Sequence, residues 1–240
     1  MNDFFNLKRL ELFLRSDLAV RARSILTFTI TTFVVLFLYN ILSAEYMPGF
    51  HNVLYSLFLF GGGFFITSHV FSDLHDKTQG VVFLTLPASQ FEKLLGRWLI
   101  TAVGYALGLL LLFSILFIFT NLCKAIFIPS FRSITVFHIN WQQILQSLKY
   151  YLLLQPVFLL GAIYFKKSAL TKTILCWGLF ALLLFFVKSL LVAVFFIQDV
   201  TLQRVVDWQN YGLFAVNAFL LILAPASLLI TYLRLRESEI

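Results

Sequence analysis

The sequence predicts an all-α integral membrane protein. Six spans follow an amphipathic helix at the membrane interface, and a short charged helical segment separates spans two and three. Three observations carry this reading. Mean hydropathy is +0.92. Hydrophobic residues make up 60% of the 240 and charged residues only 12%, where a soluble domain carries roughly a quarter charged. Lys and Arg, finally, fall unevenly on the two sides of the predicted spans. A chain holding 29 Phe and nine Tyr suits lipid contact and interfacial anchoring, and this much apolar surface excludes a chain that stays soluble by folding on itself. The length allows one polytopic domain, 1–240.

Residues Met1 to Arg23 are too charged to cross a bilayer. Leu7, Leu10, Leu14 and Leu18 share one helical face, and Lys8, Glu11 and Arg15 share another, the pattern of a helix lying in the interface. The alternative is a solvated basic leader that only sets topology. A cleaved secretion signal is not expected, because the apolar stretch that follows is too long and no A-x-A-like site closes it.

Six apolar stretches then approach or exceed the length needed to cross about 30 Å of hydrocarbon: Ser24 to Leu42, Leu54 to Val70, Trp98 to Leu122, Tyr150 to Phe165, Thr173 to Ile197 and Tyr211 to Leu233. The fourth is short and contains Gln155-Pro156, so a break is expected there. Between spans one and six the outer segments are Lys124 to Lys149, whose Ile139 to Leu148 portion suits a short surface helix, and Gln198 to Asn210, which suits an amphipathic piece dipping into the interface.

With the N-terminus inside, the inner side holds Lys8, Arg9, Arg15, Arg21, Arg23, Lys77, Lys93, Arg97, Lys166, Lys167, Lys172, Arg234 and Arg236. The outer side holds Lys124, Arg132, Lys149 and Arg204. Positive residues near span ends are retained in the cytoplasm. Both termini are therefore expected to be cytoplasmic, together with the segment from Phe71 to Trp98.

That segment has the most local punctuation in the chain. Ser89 and Glu92 stand in the S-x-x-E spacing of a capping box, so a helix should start at Gln90. Phe91, Leu94, Leu95, Trp98 and Leu99 recur at helical spacing, which places Glu92, Lys93 and Arg97 away from the apolar face. Taken alone, this is a capped helix entering span three.

Enzymatic chemistry finds little support. No Asp or Glu lies in any span, so the carboxylates of ion-coupled transport are missing. His51, His69, His75 and His138 are scattered without a metal-binding pair, and Cys123 and Cys176 lack ligand spacing. There is no G-x-S-x-G elbow and no G-x-x-x-x-G-K-[ST] phosphate loop. Gly61-Gly62-Gly63 sits mid-span, where close helix packing is its expected use. Lys188 is the clear intramembrane charge. Near a helix centre it costs about 2.5–3.5 kcal/mol, so it either meets an anionic headgroup or pathway or snorkels outward. Gln155 and Asn217 are weaker candidates of the same kind, and each is more often simple helix glue.

The order of elements, with Phe83-Leu84-Thr85-Leu86-Pro87-Ala88-Ser89 followed by Phe91-Glu92-Lys93 and Arg97-Trp98, resembles the membrane subunit of type-2 ABC exporters. In architecture the resemblance covers the whole chain, in motif about twenty residues. It implies that 71–98 is a coupling loop docking on a cytoplasmic ATPase subunit through Leu74, His75, Asp76 and Lys77 and then Leu86, Pro87, Ala88, Ser89, Glu92 and Lys93. It further implies a permease of the bacterial inner membrane, not itself an enzyme and without a cofactor of its own. ATP and Mg belong to the partner, a second permease copy or paralogue completes the pathway, and lipidic, amphipathic or peptide cargo moves outward. The chain departs from the family between spans five and six, where Gln198 to Asn210 is short for two re-entrant half-helices, and in the longer outer loop after span three. A non-transporting docking, assembly or immunity protein is the alternative.

Overall fold

The computed structural model describes residues 5–42, 50–75, 88–127, 140–195 and 202–237; at 40–42, 50–51, 124–125, 127, 191–195 and 202–215, and at His75 and Lys188, it describes the backbone alone. Among the described residues there is no strand. Helices α1 (Leu7–Leu42), α2 (Phe50–His69), α3 (Gln90–Leu99), α4 (Tyr105–Phe127), α5 (Trp141–Tyr164), α6 (Ala169–Phe195) and α7 (Leu202–Glu237) follow in order. A short 3-10 turn covers Ser72–His75, and a π turn at Ile100–Gly104 joins α3 to α4 without a break. Among the described residues six stretches are long and apolar enough to cross a membrane: Leu7–Tyr39, Asn52–Leu74, Gln90–Cys123, Trp141–Tyr164, Ala169–Val187 and Val216–Glu237.

Several expected boundaries move. The amphipathic N-terminal stretch and span one form one 36-residue helix about 54 Å long, well beyond what the hydrocarbon requires. The fourth span begins at Trp141, so the surface helix expected before Leu148 is its first turns. The helix continues through Pro156, because one missing backbone bond is tolerated where neighbouring helices pack. Residues 202–210 are likewise continuous with the last span.

The chain divides into two compact units, Met1–Ile66 with Leu86–Leu152, and Thr67–Thr85 with Leu153–Ile240. In the first, α1 runs parallel to α3 and α4 from end to end: Arg9 meets Glu92, Asp17 meets Arg97, Phe28 meets Tyr105 and Phe33 meets Phe119. Helix α2 runs antiparallel to α4, since Tyr55 and Phe58 pack on Phe113 while the Tyr105 hydroxyl donates to the Phe58 carbonyl at 2.7 Å. Helix α5 enters beside α2, with the Ser56 and Ser147 hydroxyls 2.9 Å apart. Leu36, Tyr55, Leu59, Leu109, Phe113, Leu116, Ile144 and Tyr151 form the buried core of this unit.

The glycine run explains how these helices approach. A Cβ on Gly62 would collide with the Tyr105 hydroxyl, and one on Gly63 would lie 2.5 Å from the Tyr151 ring. Gly61 faces open space. Two of the three glycines are thus seats for tyrosines, the small-residue packing expected between membrane helices.

In the second unit, Gln155 donates to Thr67 Oγ1 at 3.4 Å, both fully buried. A four-residue turn, Phe165 to Ser168, reverses the chain between α5 and α6, with Ser168 at φ 51. Gly161 on α5 lies against the Thr173 side chain of α6, and Phe180 stacks on Phe219 of α7 at 5.7 Å.

Candidate coupling site

The start of α3 forms as its sequence dictates. Ser89 is extended (φ −66, ψ 156), its hydroxyl accepts from Glu92 N, and the Glu92 carboxylate returns to Ser89 N, completing the capping box. The bonds measure 3.2 and 2.8 Å, and each satisfies an orphan amide of the first turn.

The other oxygen of Glu92 does something that the local pattern does not show. It accepts the backbone amide of Asn6 at 2.6 Å and pairs with Arg9 Nη2 at 3.2 Å. Asn6 caps α1, its Oδ1 accepting from Lys8 N at 2.9 Å. One carboxylate thus sits at the N-termini of two parallel helices, where both backbone dipoles favour negative charge. A second tie lies two turns along. Asp17 is held between Arg21, at 3.3 Å, and Arg97, at 3.6 Å. Between the two ties a Cβ on Gly96 would lie 2.7 Å from the Phe13 ring, so glycine lets α1 and α3 close on each other.

Glu92, Lys93 and Arg97 are consequently buried, each exposing 1% or less. This corrects the expectation that they point away from a buried apolar face. The apolar residues of α3 do not hold the interior alone: Phe91, Leu95, Trp98 and Leu99 are only half-buried. The polar face of α3 turns inward because the start of α1 presents the Asn6 amide, Arg9 and Asp17 to it. Burying charge requires that partnering.

Further along, the π turn shifts the hydrogen-bond ladder: Tyr105 N–H reaches back to Ile100 O. The Tyr151 hydroxyl, fully buried, donates to Thr101 O at 2.6 Å, satisfying a carbonyl within the turn. Such bulges concentrate where helices change direction or function.

The remaining expected site residues are distributed as follows. Leu74 lies half-buried in the Ser72–His75 turn of the second unit, and Ala88 and Ser89 are half-buried at the entry to α3 in the first. Asp76, Lys77, Leu86 and Pro87 fall outside the described residues, as do the side chains of His75 and Lys188. Gln155 is engaged with Thr67 in a helix contact, and Asn217 is half-buried in α7. Asn6, Arg9, Asp17, Thr101 and Tyr151 were not among the expected residues. An i,i+4 pairing of Asp17 with Arg21 is readable in the sequence, but the attachment of Asp17 to Arg97 of α3, or of Glu92 to the start of α1, is not. No family model, curated protein or solved structure matches the chain.

Proposed function

We propose that the chain is the permease subunit of an ATP-driven exporter of the type-2 ABC class, in the bacterial inner membrane with both termini cytoplasmic. Its carrying observation is the double tie of α3 to α1 through Glu92 and Asp17. A helix that begins outside the hydrocarbon, is capped, and is fixed along its polar face to a parallel neighbour moves with that neighbour as one body. Displacement applied at its N-terminus therefore reaches α4 and α1 together, a rigid-body route from an ATPase to a transport pathway.

This reading divides the expected contact residues. In the second unit Leu74 is a contact with the ATPase subunit, which brings ATP and Mg, and in the first unit the entry to α3 at Ala88 and Ser89 is another. Glu92 and Lys93 become the brace behind it. A second permease copy or paralogue completes the pathway, and the aromatic, weakly charged spans favour lipidic, amphipathic or peptide cargo.

The test is purification of the tagged chain in mild detergent, with mass spectrometry and an ATPase assay, beside a Leu74→Asp variant. A stoichiometric nucleotide-binding partner that the variant loses supports the proposal. A monodisperse chain carrying only partners without a nucleotide site overturns it in favour of a docking or assembly protein.

A further inference from the structure

The second unit contains a groove that the transport reading does not use. It has a volume of about 440 Å³ and is walled by α5, α6 and α7, with Leu160, Tyr164, Phe165, Cys176, Trp177 and Phe219 among its lining. Its walls are apolar along the spans. At the end where α5 stops and α6 begins, the character changes. Lys172 Nζ lies 5.6 Å from the Phe165 ring and the Arg234 guanidinium 5.4 Å from the Tyr164 ring, and both rings line the groove. Lys166 and Lys167 occupy the adjoining turn, exposed like Lys172. Arg234 is paired with Glu237 at 2.8 Å. Among the described residues none of the three lysines has a carboxylate partner.

We infer that this groove binds one anionic phospholipid of the membrane, an acyl chain lying against Trp177 and Phe219 and the phosphate held by Lys166, Lys167 and Lys172. The apolar walls alone would accept any lipid tail. Charge complementarity at the mouth selects the headgroup: each Lys within reach of an anionic lipid surface strengthens binding roughly fivefold. Tyr164 and Phe165 mark the level at which apolar wall gives way to headgroup, the place aromatic residues take at a membrane interface. The cations stacked on their rings are fixed at that level.

Trp177 reports occupancy directly. The full chain carrying Trp177 as its single tryptophan, with Trp98, Trp141 and Trp208 changed to Phe, is reconstituted in phosphatidylcholine bilayers containing brominated phosphatidylglycerol or brominated phosphatidylcholine. The expected result is half-maximal quenching by phosphatidylglycerol at a mole fraction at least fivefold lower than by phosphatidylcholine. Lys166→Gln, Lys167→Gln and Lys172→Gln together should bring that ratio close to one, and Cys176→Phe, which fills the groove from an exposed position, should abolish the advantage with the lysines intact. Native mass spectrometry of the otherwise unaltered chain, with and without the three lysine substitutions, gives the same comparison if the tryptophan substitutions impair folding. Equal quenching by both lipids is the signature of annular lipid only and overturns the proposal. So does a phosphatidylglycerol preference that survives either set of substitutions, or a Trp177 shielded from both lipids by a second copy of the chain.

Discussion

Glu92 accepts the amide of Asn6 across 86 residues of sequence, while its other oxygen caps the helix to which it belongs. The first transmembrane helix and the helix that opens the third span therefore share one capping group. The start of α3 is capped from within, and the amide that precedes α1 is satisfied from α3.

Replacing Glu92 should cost far more than replacing its ionic partner. Glu92→Ala orphans two amides and leaves Arg9 beside an empty acceptor, so the expected loss is about 3 kcal/mol, the range for breaking a buried pair. Arg9 is 34% exposed, and water screens its side of the pair, so Arg9→Ala should cost about 1 kcal/mol or less. Glu92→Gln keeps one acceptor oxygen, sets an NH2 donor against the other amide and loses the charge, and should fall between. Thermal unfolding of the three purified variants in one detergent measures the order. A loss for Arg9→Ala equal to that for Glu92→Ala would show that the ion pair, and not the shared cap, holds the helices.

The glycine run offers an internal control. Gly61→Ala meets nothing within 4 Å and should be neutral or gain up to about 1 kcal/mol from helix propensity. Gly63→Ala drives a methyl into the Tyr151 ring and should lose about 1–3 kcal/mol through overpacking. Unfolding temperatures of the two single variants check the contrast, and the same sign for both would contradict the assigned seats.

Tyr151→Phe keeps the ring against Gly63 and removes only the hydroxyl that donates to Thr101 O. About 1 kcal/mol should be lost. Amide hydrogen exchange should rise locally at Gly104 and Tyr105, where the π turn is closed, and not along α1. Unchanged exchange there would mean that the turn persists without the tyrosine.

The sequence carries some of this structure plainly. Six apolar stretches, the capping box at Ser89 and Glu92 and the packing role of Gly62 and Gly63 all follow from local chemistry, because hydropathy, caps and glycine act on residues close in the chain. The burial of Glu92, Lys93 and Arg97 does not follow. Periodicity states which residues of α3 share a face, but what lies opposite that face is decided by Asn6, Arg9 and Asp17, some eighty residues away. For the same reason the sequence suggests a boundary near Arg23, where composition changes, while the helix runs on because charged and apolar turns alike are helical. Continuity through Pro156 depends on the neighbours that pack around it, and these too are remote in sequence.

The most direct measurement is site-specific photocrosslinking in native membranes, with a benzoylphenylalanine placed at Leu74, at Ala88 and, as a lipid-facing control, at Ile118, which is 69% exposed. Adducts at 74 and 88 containing a protein with a phosphate-binding loop and a Mg-dependent ATPase activity, and none at 118, are the predicted result. Adducts at 74 and 88 only to proteins without a nucleotide site would contradict the permease reading.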